Sequence, residues 1–172
     1  MKGTYLLIRF LKIFSLLAFV GMLLLAYYQL PNPAAIHFNS AGQADEYVDK
    51  SVLFYVGGIF IVLFNVLLSL AAKFIFSVPA QLFPMPNRNY WLADKESRFQ
   101  FLSLVRNWLN SFVFIGNTLL FVCLFILLKL NNADQASPAD YSWVFIVGLA
   151  ALGIWLFFLP VRLFLKKSEA IS

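Results

Sequence analysis

The chain holds one histidine, His37, and one cysteine, Cys123. His37 lies near three carboxylates, Asp45, Glu46 and Asp49, within LPNPAAIHFNSAGQADEYVDK, the stretch from Leu30 to Lys50. A histidine beside carboxylates can act as a general base or as a metal ligand. Zinc, however, takes three or four protein ligands, often several His or Cys, and one His with one distant Cys falls short of that set. Two other readings of the stretch stand ahead of a metal or hydrolytic site. In one it is a structural cap: His37 and Asn39 hydrogen-bond the loop's own backbone, Asp45 caps a turn and Lys50 anchors the helix that follows. In the other it is a rigid recognition loop for a peptide, a lipid headgroup or a partner's domain. No Ser-His-Asp order, Gly-rich phosphate loop, H-E-x-x-H or pair of haem-ligating histidines is present. The reading is therefore non-enzymatic, with no catalytic residue, no metal and no cofactor. Cys123 sits alone in an apolar run, which excludes an intrachain disulfide and reads as packing.

The elements that must position this stretch are apolar. Of 172 residues, 62% are hydrophobic and only 12% charged, against about 25% charged in an ordinary soluble domain. Uncharged runs cover Ile13 to Gln29, Ser51 to Ala72, Asn107 to Leu128 and Tyr141 to Val161. Each approaches the ~20 residues that a helix needs to cross a ~30 Å hydrocarbon core. A soluble helical core would show polar faces at a period of 3.6, and these runs are apolar all round. A cleaved signal peptide is disfavoured too, because Ala26-Tyr27-Tyr28-Gln29 puts aromatics where small residues belong. The expected fold is an all-α integral membrane protein, a single domain built as a four-transmembrane-helix bundle. Its spans are about 10–29, 51–73, 107–129 and 141–165, with outer loops at 30–50 and 130–140 and a cytoplasmic loop at 74–106.

Basic residues set the orientation, since Lys and Arg near span ends stay in the cytoplasm. Lys2, Arg9 and Lys12 precede the first span; Lys73, Arg88, Lys95, Arg98 and Arg106 fill the middle connection; Arg162, Lys166 and Lys167 follow the last. Only Lys50 and Lys129 fall on the other side. Both termini are therefore expected in the cytoplasm, and the net charge of +5 faces anionic lipid rather than nucleic acid. No ionisable residue lies near the midplane of any run, which argues against a pump or a coupled transporter. Asn65, Asn110 and Asn117 are the polar residues left inside, read as contacts between helices. Pro160 is expected to kink or end the fourth helix.

Two connections carry patterned residues. In the first, Pro31 and Pro33 stop the first helix and Asn39-Ser40-Ala41-Gly42 signals a turn. In the cytoplasmic connection, prolines at 79, 84 and 86 block a continuous helix. After them, Trp91, Leu92, Phe99, Leu102 and Val105 recur among Lys95, Glu96, Arg98 and Arg106, the composition of a short helix lying flat in the membrane interface before the third span. That helix is read either as a re-entry element or as a docking site for a partner or an anionic lipid.

Leu30-Pro31, Ile36-His37-Phe38-Asn39, Ala41-Gly42-Gln43, Asp45 and Lys50 resemble the L-P-x-x-I-P-x-H-F-N-x-x-G-x-x-D-x-x-x-x-K signature of a bacterial membrane domain of unknown function, which also forms the N-terminal part of SdpI-like immunity proteins. Pro86-Asn87-Arg88-Asn89-Tyr90-Trp91-Leu92 is similar to a P-N-x-x-Y-W-L segment in short, four-helix members of that group. The chain departs from the pattern at Asn32, Ala34-Ala35 and Ala44, and no second membrane half resembling that of the immunity proteins follows Val105. The resemblance marks Pro31, His37, Phe38, Asn39, Gly42, Asp45 and Lys50 as an outer motif and Asn87, Tyr90 and Trp91 as a cytoplasmic one. It implies a protein of the bacterial cytoplasmic membrane that works by binding, as a sensor or immunity-like protein, alone or as a homo-oligomer. The alternative is an accessory subunit of a larger membrane complex. The partners expected are membrane lipids and a protein, either other membrane subunits or a peptide ligand.

Overall fold

In a membrane every backbone amide must find its partner within the protein, and long apolar runs satisfy this by coiling into helices. The computed structural model describes residues 2–39, 41–132 and 137–165, with the side chains of residues 2 and 80 excepted. Its elements are α1 (Lys2–Gln29), β1 (Ala34–Phe38), β2 (Ala44–Val48), α2 (Lys50–Phe74), α3 (Arg88–Trp91), α4 (Lys95–Asn132) and α5 (Ser142–Leu165). Short 3-10 turns at Ile75–Ser77 and Ala80–Leu82 follow α2, and another at Pro138–Tyr141 leads into α5. Four helices are long and apolar enough to cross a membrane, which is the build of a multi-pass membrane protein. Lys166, Lys167 and residues 133–136 of the second expected outer loop lie outside the described residues, as does Ser40 of the expected turn.

α4 is the hub. α1 packs along it, α2 packs on both α4 and α1, and α5 touches α4. Gly116 permits the α2–α4 approach, since a Cβ there would lie 2.5 Å from Cζ of Phe64. Midway along the bundle the Asn65 and Asn117 amides bond each other reciprocally, at 2.8 and 3.1 Å, and Asn117 also donates to Ser15 Oγ at 3.2 Å. These buried groups tie α1, α2 and α4 at one level, where asparagines without partners would destabilise the fold. One apolar core, including Phe19, Leu23, Ala26, Ala34 and Leu128, lies toward the β-strands. A second, including Ile75, Trp91, Phe101, Val105 and Leu163, lies at the opposite end.

α5 is held differently. The Trp108 and Trp155 rings stack with centroids 4.1 Å apart, and each indole N–H donates to the other residue's carbonyl, at 2.8 and 3.0 Å. Most of the rest of α5 is exposed: among its residues Gly148 and Leu163 are buried, while Ile146, Leu149, Ile154 and Phe157 present a bare face.

Three expectations need correction, and a fourth, that Pro160 kinks or ends its helix, is narrowed. The expected all-α architecture is interrupted by an antiparallel hairpin, β1 and β2, inside the 30–50 connection. The expected flat helix before the third span does not stand apart, because residues 95–106 belong to the same uninterrupted helix as 107–132. That segment contains no proline, and Asp94 caps its start by accepting the Ser97 N–H at 2.7 Å. At 38 residues α4 is about 57 Å long, well beyond a ~30 Å hydrocarbon core. α1 begins at Lys2, so Lys12 is an interior residue of the helix rather than a flanking one. α5 runs through Pro160 to Leu165 and does not end there.

Candidate functional site

The hairpin is assembled from side chains that complete the backbone's hydrogen bonds. α1 ends at Gln29, immediately ahead of Leu30-Pro31. Asn39 then organises the turn: its Oδ1 accepts the Ala41 and Gln43 N–H groups at 2.9 and 3.0 Å, and its own N–H donates to the Gln43 carbonyl at 2.9 Å. Gly42 adopts φ 78°, a left-handed conformation that side chains resist, and sits against Ser137 and Pro138 of the second connection. At the base, Asn32 Oδ1 accepts the Lys50 N–H at 3.2 Å, while Lys50 Nζ donates to the Leu30 carbonyl at 3.4 Å and lies over the Tyr27 ring.

A two-stranded hairpin is marginal alone and needs a further support. Asn131, in the last turn of α4, supplies it. Its Oδ1 accepts the Ala35 N–H at 2.8 Å and its Nδ2 donates to the Ala35 carbonyl at 2.9 Å, so the amide stands in for a third strand. Sequence reasoning missed Asn131, which it placed in a loop; an Asn-Asn pair closing an apolar helix was the one available signal.

His37 and Asp45 face each other across the strands. The pairing register shifts between Ala35 and His37 and again between His37 and Phe38, which leaves Ile36 and Asp45 without opposite partners. Such bulges re-aim side chains, and here His37 Nδ1 meets Asp45 Oδ1 at 2.5 Å. The pair is exposed, and the Asp45 hydrogen bond together with its charge raises the His37 pKa above its ordinary value. Beneath β1 lies an apolar pocket of about 230 Å³, with His37 and Phe38 on one wall and Cys123, Leu127 and Phe145 of α4 and α5 on the others. Cys123 shares the pocket with His37 but makes no hydrogen bond to it among the described residues. Among those residues, no three of His, Cys, Asp and Glu converge where they could hold a metal ion.

The 87–91 motif is structural in its contacts. Asn87, in the left-handed region at φ 53°, donates through Nδ2 to the Leu163 and Phe164 carbonyls, both at 3.2 Å. Trp91 Nε1 donates to the Leu163 carbonyl at 3.3 Å, and the ring is wholly buried. Together they tie this connection to the last described turn of α5. Tyr90 packs edge-on against Trp91.

A second group of polar residues, missed as a site, gathers at that same end. Lys12 Nζ reaches Ser69 Oγ at 3.1 Å and Asn110 Oδ1 at 2.9 Å, joining α1, α2 and α4. Sequence counting treated Lys12 and Arg106 as flank charges, whereas both line a cavity between the helices.

Comparison with known proteins places one part of the chain. No curated protein and no solved structure matches it. Residues 13–61 match the model of a domain of unknown function (DUF1648), a segment that contains the whole hairpin and leaves out Arg9, Lys12, α4 and α5.

Proposed function

We propose that this chain is a non-enzymatic membrane protein of the bacterial cytoplasmic membrane, both termini in the cytoplasm, whose hairpin recognises a ligand or partner at the outer surface. The observation that carries this reading is a division of labour within the hairpin. Asn32, Asn39, Lys50 and Asn131 are committed to backbone groups, whereas Ile36 and His37 are exposed on the wall of an apolar pocket and His37 pairs with the exposed Asp45. A small apolar pocket with one imidazole on its wall suits the apolar side chain of a peptide or the chain of a lipid. The orientation follows from the basic residues at the opposite end. Kinship with SdpI-like immunity proteins, and an immunity or sensing role, belong to this proposal.

The test is genetic and structural together. A deletion strain should gain sensitivity to a membrane-active peptide toxin; wild-type protein should restore resistance, and His37→Ala should not, despite normal insertion and thermal stability. Asn39→Ala should instead lower thermal stability. Unchanged sensitivity after deletion counts against immunity, and a His37→Ala variant that only loses stability makes the hairpin a structural cap.

The bare face of α5 favours a second reading, an accessory subunit whose α5 packs on a partner's helix. Extraction in mild detergent, size separation and mass spectrometry decide between them: stoichiometric co-migration with other membrane subunits supports the accessory role, and migration alone removes it.

A further inference from the structure

At the end of the bundle away from the hairpin, α1, α2 and α4 enclose a cavity of about 470 Å³. Among the described residues its walls carry four bases, Arg9, Lys12, Lys73 and Arg106, and no carboxylate. Among the described residues the one ion pair in the protein is His37–Asp45, at the other end. Four like charges around one cavity repel each other, and a bound anion removes that repulsion.

Arg106 is prepared for such an anion. Its guanidinium lies 4.4 Å from the Tyr5 ring centroid and 5.0 Å from that of Phe76. The rings hold the guanidinium in place but supply no acceptor, and among the described residues its buried Nε–H has no hydrogen-bond partner. Ser103 Oγ, within one turn of it on α4 though not on the cavity wall, is buried and without a partner among the described residues as well. Buried polar atoms are nearly always satisfied in a native protein, so an unpartnered guanidinium N–H of a residue on the wall of a basic cavity calls for an acceptor. Lys12 places two of its three N–H donors on Ser69 and Asn110, leaving the third available. Arg9 and Lys73 are exposed at the rim, whereas Lys12 and Arg106 are half-buried within.

An apolar groove adjoins the cavity. It shares Lys12, Ser69 and Lys73 with it and continues along α1 and α2 past Leu16, Val66 and Leu70. An anion site opening onto an apolar groove matches an amphipathic ligand with a phosphate at one end.

We propose that this cavity binds a phosphate group, and that its source is the headgroup of an anionic phospholipid whose acyl chain lies in the α1–α2 groove. Arg106 and Lys12 hold the phosphate oxygens, and Arg9 and Lys73 close over it from the rim. The site makes no use of the hairpin, so it stands or falls apart from the recognition reading above.

The test is native mass spectrometry of the full chain released from nanodiscs of phosphatidylcholine containing one-fifth phosphatidylglycerol, with thermal unfolding alongside in the presence and absence of inorganic phosphate. Phosphatidylglycerol should be retained at least tenfold over phosphatidylcholine. Arg106→Gln, Arg9→Gln and Lys73→Gln should each lower that preference about fivefold. The two rim variants keep the test open if Arg106→Gln fails to fold. Lys95→Gln and Arg98→Gln, which do not line the cavity, should leave the preference unchanged. Stabilisation by inorganic phosphate in pure phosphatidylcholine, lost in Arg106→Gln or the rim variants, with no lipid preference, keeps the phosphate site but assigns it to a soluble ligand. Equal retention of both lipids with no response to phosphate overturns the proposal, as does an equal loss in the Lys95 and Arg98 variants.

Discussion

The two ends of the bundle treat their polar groups in opposite ways. At the hairpin, Asn32, Asn39, Lys50 and Asn131 each complete a backbone hydrogen bond, and the one histidine is paired with a carboxylate. At the other end, among the described residues, Arg9, Lys12, Lys73 and Arg106 line a cavity with no carboxylate, and Ser103, Arg106 and Asn107 carry buried atoms without partners. A buried group left unsatisfied costs about 1–3 kcal/mol, so an acceptor that met the Arg106 Nε–H would stabilise the basic end. The hairpin end commits these polar groups to the backbone, whereas the basic end gathers charges of one sign around a cavity.

The largest expected effect tests whether the basic end is nonetheless well packed. Trp91 is wholly buried, contacts Phe101 and donates to the Leu163 carbonyl. Trp91→Ala should cost about 3–5 kcal/mol in detergent unfolding. Trp143→Ala, at an exposed position of α5, should change stability by less than about 0.5 kcal/mol. Similar losses for both would mean that the second core does not hold this end together.

Asn131→Leu comes next and strikes the finished end. It removes both partners of Ala35 and should cost about 2 kcal/mol. Hydrogen exchange should accelerate at the Ala35 amide while the helix amides of α1 stay protected. Slow exchange at Ala35 in that variant would show that the strands hold themselves.

A smaller effect has the opposite sign. Arg9 and Lys12 lie three apart on α1, within reach of each other's charge. In neutral detergent at low salt, Arg9→Gln should stabilise by about 0.3–0.5 kcal/mol. The gain should fade as salt screens the charges. Destabilisation by Arg9→Gln under those conditions would mean that the basic end already has its counter-charge.

The four helices were legible because apolar runs of membrane-spanning length have few alternatives to a helix. The turn at Asn39 and Gly42 was legible for a similar reason, since few residues accept a left-handed backbone. The hairpin's strands were not, because five-residue runs such as AAIHF and ADEYV carry little pattern of their own and depend on Asn131, distant in sequence. Lys12 was misread for a physical reason as well: counting flank charges assigns a side but says nothing of whether a lysine faces lipid headgroups or the neighbouring helices. The signature residues held more than one meaning. Asn39 and Lys50 serve the backbone, while His37 and Asp45 serve each other in the open.

His37 offers the smallest effect and the sharpest reading of the hairpin end. Its pKa is raised first by the Asp45 hydrogen bond, then by the Asp45 charge. A raised folded pKa means that the pair's contribution is fully present below the ordinary value near 6.5 and is lost as pH rises through the folded value. Because the ring is exposed, the change in stability should be slight and sensitive to salt. The pKa itself is the better readout. Titration followed by NMR of the single imidazole should give a value above 6.5 in the wild type and one close to it in Asp45→Asn. If recognition uses the protonated pair, binding at the hairpin should weaken above that raised pKa, and in Asp45→Asn the weakening should begin at lower pH. An identical pKa in both proteins would dissolve the pair, leaving the hairpin defined by its backbone alone.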